Sequence, residues 1–148
     1  MSPYLRSLRE RVGHDLLLLP GVTAVIRDAD RFLLARQRDT ERWSLIGGSV
    51  EPGETPQEAV VREVREELGV IAAIGGVLGA YGGKQLETTL PNGDQIAYVS
   101  VAFECRLPST EYRLEDAELL ETGWFTREEI KRMHRHEWID AVLDAAAC

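Results

Sequence analysis

Residues 48–70 read GSVEPGETPQEAVVREVREELGV and contain a complete helix signal. Thr55 suits the N-cap, Pro56 suits the first helical position, and Glu58 stands where it completes a capping box. Gly69 is typical of the residue that ends a helix. Apolar residues between these ends recur at spacings of three and four, at Val60, Val61, Val64 and Leu68. We therefore predict a helix over 55–69 whose apolar stripe packs on a sheet.

Three acidic residues share one sector of this helix. Glu63, Glu66 and Glu67 lie at positions i, i+3 and i+4, and each residue turns a helix by about 100°. Like charges at this spacing destabilise a helix by about 0.2–0.5 kcal/mol, so the sector requires a compensating cation. Arg62 and Arg65 can supply part of that charge. The alternative interpretation is an ordinary solvated face with Glu/Arg pairs.

The spacing of these residues resembles the signature of the Nudix hydrolases. Five residues separate Gly48 from Glu54, and seven separate Glu54 from the run REVREELGV at residues 62–70. This matches G-x5-E-x7-R-E-U-x-E-E-x-G-U, in which U is bulky and aliphatic, at every specified position. Ile46 departs from the pattern of many relatives, which carry proline before the two glycines. The resemblance implies an α/β fold, an α/β/α sandwich with a mixed β-sheet and a loop-helix-loop signature.

The remaining segments read mostly as strands. Val22–Arg27 and Phe32–Arg36 are predicted to form a hairpin around a three-residue turn. A second hairpin is predicted from residues 85–90 and 96–106, around the turn at residues 91–94 (Pro-Asn-Gly-Asp). Short strands are predicted at residues 43–46 and 119–125, and late helices from Thr126 to about Met133 and at the C-terminus. This order favours one mixed sheet with helices on its faces. We expect one domain over residues 1–148, with residues 1–17 as an N-terminal arm that is either a weak amphipathic helix or extended.

The family resemblance implies a metal site on the predicted helix. A diphosphate is densely anionic, so its hydrolysis needs cations that neutralise charge and activate water. Mg²⁺ takes oxygen ligands, often from a few carboxylates together with substrate phosphates. By the resemblance, Glu63, Glu66 and Glu67 are the metal ligands, and the backbone carbonyl of Gly48 is a further one. Mg²⁺ is the expected cofactor, with Mn²⁺ as a substitute.

The resemblance also implies catalytic roles for neighbouring residues. Arg62 is expected to orient the carboxylates, because its planar fork makes bidentate hydrogen bonds. Glu54 is expected either to tie the preceding loop to the helix or to reach the metal cluster. The general base is Glu66 or Glu67 as the first choice. Later acids form a reserve set, at Glu115, Asp116, Glu118 and Glu121.

The substrate is the least determined part of the prediction. The resemblance implies a small nucleotide substrate with a nucleoside diphosphate linked to another group, such as an NTP, a dNTP, ADP-ribose or a dinucleoside polyphosphate. We favour NTP or ADP-ribose. Tyr81, Lys84 and Gln85, near a glycine-rich turn, are candidate substrate contacts.

Composition limits the partners. The chain has 17 Lys and Arg against 25 Asp and Glu, a net charge of −8, which disfavours binding to a nucleic-acid polymer. The longest apolar stretch, residues 16–26, is interrupted by the turn pair Pro20-Gly21 and is too short to cross a membrane. No secretory signal pattern is seen, so we expect a cytoplasmic location. A homodimer is compatible with the sequence.

Two other classes of function remain open from the sequence. One is a nucleotide-sensing module that keeps the fold without turnover, although a binder has no need for three metal-ligating carboxylates. The other is a structural or interaction domain whose acidic helix only aids solubility. Phosphate release from a nucleotide panel with Mg²⁺, with and without chelator, distinguishes the enzyme from the sensor. Loss of activity on replacing Glu66 and Glu67 together by Gln distinguishes it from the structural domain.

Overall fold

The computed structural model describes residues 2–110, 112 and 119–146, and it contains helices on both faces of a curled sheet. The elements are α1 (Pro3–Val12), β1 (Leu17–Asp28), β2 (Arg31–Gln37), β3 (Trp43–Ser44), β4 (Ile46–Ser49), α2 (Pro56–Leu68), β5 (Ala73–Tyr81), β6 (Glu87–Thr89), β7 (Gln95–Arg106), β8 (Leu119–Thr126), α3 (Arg127–Ile130) and α4 (Ile139–Ala146). A 3-10 turn at Lys84–Leu86 precedes β6. None of the described helices has both the length and the hydropathy needed to cross a bilayer.

The sheet is mixed, as predicted. Its main path runs β3-β2-β1-β7-β5, with β4 paired to β1, β6 to β7 and β8 to β2. Strands β1 and β7 are parallel, with Leu17 opposite Ile96 and Ile26 opposite Cys105 at the two ends of the ladder. The other pairings of the described strands are antiparallel. The central strand β1 therefore joins the two halves of the sheet.

Alternation along β1 separates two apolar cores. Ala24 and Ile26 face a cluster that contains Val60 of α2, whereas Val25 faces a second cluster that contains Val142 of α4. Successive side chains of a strand point to opposite faces, so one strand contributes to both clusters. The sheet thus lies between α2 and α4, which confirms the α/β/α sandwich.

Strand β1 begins earlier than predicted. Pro20 and Gly21 lie inside it rather than forming a turn. Proline is tolerated here because the ladder with β4 starts only at Gly21, opposite Ser49, so no N–H is required of Pro20 on that side. The carbonyl of Pro20 instead accepts a hydrogen bond from the backbone N–H of Val50 at 3.1 Å. The hairpin after β1 is confirmed, with a connection one residue shorter than predicted.

The helix after β8 is shorter than predicted. Its capping box at Thr126 and Glu129 is present, yet α3 ends at Ile130 instead of about Met133. The chain then turns so that the segment 134–136 lies beside β3. The N–H of Trp43 donates to the carbonyl of His134, and the N–H of His136 donates to the carbonyl of Trp43. The N–H groups of residues 131–133 still form turn hydrogen bonds to Arg127, Glu129 and Ile130, and the bonds to β3 then hold the following segment in an extended path.

The N-terminal arm is helical and is held to the turn between β6 and β7. Arg9 donates to the carbonyl of Gln95 at 2.8 Å, and its Nε lies 3.5 Å from Asp94. His14 Nδ1 lies 2.7 Å from the buried Asp94 carboxylate. The hydrogen bond with His14 holds the pKa of Asp94 below its ordinary value. The arm therefore fixes one end of the β6–β7 hairpin.

Candidate active site

The N-terminus of α2 is built as the sequence predicts. Thr55 Oγ1 accepts from the N–H of Glu58 at 3.2 Å, and the Glu58 carboxylate accepts from the N–H of Thr55 at 3.0 Å. The loop before the cap is closed by Glu54, whose Oε1 accepts from the N–H of Glu51 at 3.0 Å. Helix and loop therefore form one rigid unit that orients the charged residues of α2.

Arg62 and Glu54 form a two-pronged ion pair inside this unit. Arg62 Nε donates to Glu54 Oε2 at 2.7 Å, and Nη2 donates to Oε1 at 2.9 Å. The two side chains are only 20% and 15% exposed. Bidentate geometry with this degree of burial makes the pair stronger than a surface salt bridge. The structure thus places Glu54 as the link between loop and helix, one of the two roles that the resemblance implied.

The same guanidinium reaches the other acids of α2. Arg62 Nη1 donates to Glu63 Oε1 at 3.0 Å and lies 3.3 Å from Glu66 Oε2. Nη2 also donates to the backbone carbonyl of Ser49 at 2.9 Å. Arg62 thereby supplies the compensating cation that the acidic sector requires.

Both members of the ion pair are charged at neutral pH. The hydrogen bonds from Arg62 hold the pKa of Glu54 below its ordinary value, outweighing partial burial. The same bonds raise the pKa of Arg62. A permanent cation at this position orients carboxylates over the whole physiological pH range.

The predicted metal ligands lie in different environments. Glu67 is buried at 9% exposure, the side chain of Glu63 is 14% exposed, and that of Glu66 is 55% exposed. A β-carbon placed on Gly48 would lie 2.3 Å from Glu63 Oε1, so the absence of a side chain at residue 48 lets the backbone approach that carboxylate. The donor set is therefore all oxygen, which fits Mg²⁺.

These carboxylates do not by themselves form a closed cage. Within ranges 2–110 and 119–146 and residue 112, no group of three or more Asp, Glu, His or Cys side chains is arranged as an ion site. Arg62 Nη1 contacts both Glu63 and Glu66 and lies between them. Mg²⁺ commonly keeps several waters and takes substrate phosphate oxygens, so one or two protein carboxylates are enough to hold it. The residues present fit such an ion.

A cleft of about 690 Å³ reaches the loop that carries Gly48. It is lined by Gly47 and Gly48 of β4, and it extends along β1 and β7 to the segment 134–138. Cavities of about 300–1,000 Å³ are typical of small-molecule sites. The cleft is therefore large enough for a nucleotide with its phosphates near Gly48.

The part of the cleft distant from Gly48 is formed by hydrogen-bonding and aromatic side chains. His136 Nε2 lies 3.0 Å from Gln37 Oε1 and 3.2 Å from Thr40 Oγ1. Burial lowers the pKa of His136, so its imidazole is neutral at pH 7. Trp138 packs against the second apolar cluster and also lines the cleft. An adjacent recess of about 320 Å³ shares Arg42, His136 and Trp138 with it. We call the part of the cleft that contains Gln37, Thr40, His136 and Trp138 the distal end.

The predicted substrate contacts are not brought together. Gln85 lines the cleft. Tyr81, by contrast, packs against the second apolar cluster, and Lys84 is exposed on the 3-10 turn. Of the reserve bases, Glu121 is ion-paired with Arg36 at 3.0 Å on the surface. Glu115, Asp116 and Glu118 lie outside the described residues.

Sequence reasoning missed the residues that line the cleft outside the signature. They include Gln37 at the end of β2, Arg42 in the following loop, and Tyr98 and Ser100 on β7, and they carry no motif. The sequence alone allows Trp138 to stack on a base, but aromatic residues at such positions are more often core. Only the sheet register brings these side chains to one face. No local signal in the sequence identifies them.

A protein-family model and several known proteins match this chain. The family model described as NUDIX domain matches residues 17–145. The chain belongs to the Nudix family. The NAD-capped RNA hydrolase NudC of Mycobacterium tuberculosis is 32% identical over 115 residues, which cover 76% of this chain and 34% of that protein. The chain thus matches about a third of the length of NudC.

Two further relatives are similar over most of their length. A MutT-like protein of Streptomyces ambofaciens is 28% identical over 145 residues, covering 98% of this chain and 87% of that protein. The crystal structure of a MutT protein from Methanosarcina mazei Go1 has a TM-score of 0.71 and 23% identity, covering 88% of this chain and 93% of the other. The structural likeness confirms the fold.

Proposed function

We propose that this Nudix chain hydrolyses a phosphoanhydride bond in a nucleoside diphosphate derivative with the help of Mg²⁺. The observation that carries the proposal is the placement of α2. Glu63, which accepts a hydrogen bond from Arg62, lies against Gly48, and Gly48 lines a nucleotide-sized cleft. Within this arrangement the same guanidinium contacts Glu54, Glu63 and Glu66, so one cation organises the acids of α2.

Four groups would hold the metal. Glu63, Glu66 and Glu67 offer carboxylate oxygens, and Gly48 offers its carbonyl. Bound there, Mg²⁺ neutralises phosphate charge and lowers the pKa of water. The chain's own contribution is orientation, because Arg62 fixes two carboxylates and the loop that carries Gly48. Mn²⁺ is expected to substitute, since it also accepts oxygen ligands.

Proton transfer falls to an acid of α2. Glu66 is the more exposed of the two first-choice bases, with 55% of its side chain accessible to water. Glu67 is buried and suits a ligand role that needs a fixed carboxylate. We therefore favour Glu66 as the group that takes the proton of the attacking water, and Glu67 as a ligand.

The distal end favours a nucleotide as the substrate. Trp138 offers an aromatic surface, while Gln37 and the neutral His136 offer hydrogen-bonding groups for a base edge. Stacking on an aromatic side chain tolerates any base, so the site does not select one nucleotide. We favour NTP or ADP-ribose-like substrates. The name of the NudC relative points to a capped RNA, but the net charge of −8 disfavours contacts with a polymer backbone.

A substrate panel tests the proposal. NTPs, dNTPs, ADP-ribose and dinucleoside polyphosphates are incubated with Mg²⁺, with and without chelator, and released products are measured. We expect at least one substrate to be hydrolysed in the presence of Mg²⁺ and not with chelator. Replacing Glu66 and Glu67 together by Gln should abolish that activity.

A matched control replaces two exposed acids elsewhere. Glu10→Gln with Glu128→Gln removes the same charge from α1 and α3 and should leave the rate unchanged. Nucleotide binding without turnover by the unmodified chain would contradict the proposal and support a sensor. Equal rates in both double variants would support a structural role for the acids of α2.

A further inference from the structure

Tyr98 connects the floor of the cleft to the loop that carries Gly48. It lies on β7 and lines the cleft. Its phenol oxygen is hydrogen-bonded to Ser49 Oγ at 3.0 Å. The signature motif assigns no role to either side chain, and neither was predicted as a site residue.

Close packing fixes the ring of Tyr98. A β-carbon placed on Gly21 would lie 2.8 Å from Tyr98 Cδ1 and 3.3 Å from the carbonyl oxygen of Gly48. Such distances leave no room for a side chain at residue 21. The ring of Tyr98 and the Gly48 carbonyl therefore pack against the same glycine of β1.

Ser49 is held from two sides. Its backbone carbonyl accepts from Arg62 Nη2 at 2.9 Å, which ties it to α2. Its hydroxyl is bonded to Tyr98, which ties it to β7. Gly48, the preceding residue, lies against the Glu63 carboxylate. A displacement of Ser49 would move the Gly48 carbonyl relative to that carboxylate.

We propose that Tyr98 is a positioning residue that acts through Ser49: it keeps Gly48 against the Glu63 carboxylate and thereby fixes the Gly48 carbonyl in the geometry that a divalent ion requires. The inference rests on the proposed function. Arg62 holds the loop at Ser49 from α2, and Tyr98 holds the same loop from β7. Outer partners of metal ligands typically contribute about 10–100-fold in affinity or activity.

A double-mutant cycle tests the proposal. Tyr98→Phe removes only the phenol oxygen, and Ser49→Ala removes only its partner. We expect each variant to lower kcat about tenfold with KM within about twofold of the wild type. The double variant should be no slower than either single variant, because both remove the same hydrogen bond.

Two readouts do not depend on turnover. Binding of Mn²⁺, followed by the electron paramagnetic resonance signal of the free ion, should weaken about tenfold in both single variants. Hydrogen exchange of the Val50 amide, which donates to Pro20 next to this loop, should be about tenfold faster in both. Tyr4→Phe, an exposed tyrosine on α1, serves as the matched control and should change neither quantity.

Three results would overturn the proposal. The first is a hydrogen-exchange rate of the Val50 amide that is the same in both single variants as in the wild type. The second is a double variant whose loss of kcat equals the product of the single losses, since Tyr98 would then act directly on the substrate. The third is an effect on KM alone. If the wild type hydrolyses nothing, the proposed function fails, while Val50 exchange still decides whether Tyr98 holds this loop.

Discussion

Two arginine–carboxylate ion pairs with nearly the same geometry lie in different parts of this molecule. Arg62 binds Glu54 at 2.7 and 2.9 Å beside Gly48, and Arg135 binds Asp140 at 2.7 and 2.8 Å after α3. Each joins residues that are close in sequence. Both arginines also contact backbone carbonyls, but Arg62 in addition contacts two further acids of its own helix, Glu63 and Glu66. Geometry alone therefore does not distinguish a functional ion pair from a structural one.

The surroundings of each pair suggest its task. The Arg62 pair fixes groups that would hold a metal, so its loss should change the chemistry. The Arg135 pair fixes the segment that leads into α4, so its loss should change stability. Trp138 and His136, in the same segment, should affect how substrate binds.

The largest expected effect comes from Arg62→Lys. Lysine keeps the charge but cannot make the bidentate contact with Glu54 while also reaching Ser49. We expect kcat to fall about 10–100-fold, as is typical when an outer partner of metal ligands is removed. Steady-state kinetics with the best substrate of the panel measure this.

Arg135→Lys is the matched control for this prediction. It breaks the same kind of ion pair and should leave kcat within about twofold of the wild type, with a lower unfolding free energy. Equal losses of kcat in the two variants would contradict the distinction between the pairs.

The next effect concerns Trp138. Replacing it by Ala should raise KM for nucleotide substrates about tenfold and leave kcat nearly unchanged, because base stacking is worth about 1–3 kcal/mol. Trp138→Phe should keep most of the affinity. Trp124→Phe, which alters an indole packed in the other apolar cluster, is the control. An unchanged KM in Trp138→Ala would show that the base lies elsewhere.

A smaller effect is expected at His136. Its hydrogen bonds to Gln37, the last residue of β2, and to Thr40 in the following loop join the segment 134–138 to that end of β2. His136→Ala should raise KM about threefold and lower the unfolding free energy by about 1–3 kcal/mol, since each hydrogen bond contributes about 0.5–1.5 kcal/mol. Chemical denaturation and kinetics of the same sample measure both. A tenfold loss of kcat would instead indicate a direct catalytic role.

The smallest effect is the pH dependence of stability contributed by Glu54. Its pKa is lower in the folded state than its ordinary value of 4.5, because of Arg62. The stabilisation is therefore full above pH 4.5 and is lost as the pH falls through the folded-state pKa. The unfolding free energy of the wild type should drop by about 1 kcal/mol more than that of Glu54→Gln between pH 6 and pH 3. Equal decreases of the unfolding free energy in the two proteins over this pH range, measured by urea unfolding, would contradict this.

The sequence predicts best where structure is local. The capping box at Thr55 and the end of α2 at Gly69 depend on residues a few positions apart, and both are confirmed. The capping box at Thr126 is equally local, but the length of α3 is not. Hydrogen bonds to distant Trp43 redirect the chain after Ile130. Tertiary contacts decide where that helix stops.

The candidate site divides in the same way. The signature residues from Gly48 to Glu67 lie within one loop and one helix, so spacing alone indicates which of them are neighbours. Trp138 and Tyr98 reach the cleft only through the parallel pairing of β1 with β7 and the docking of 134–136 on β3. Nothing in the local pattern encodes that register. Of the predicted substrate contacts Tyr81, Lys84 and Gln85, only Gln85 therefore lines the cleft.

A crystal structure with Mg²⁺ and a non-hydrolysable nucleoside diphosphate analogue would locate the metal site. We predict ions about 2.0–2.1 Å from carboxylate oxygens of Glu63, Glu66 or Glu67, with the Gly48 carbonyl and phosphate oxygens completing the coordination. Ions bound away from α2, with Arg62 still in contact with Glu63 and Glu66, would contradict this.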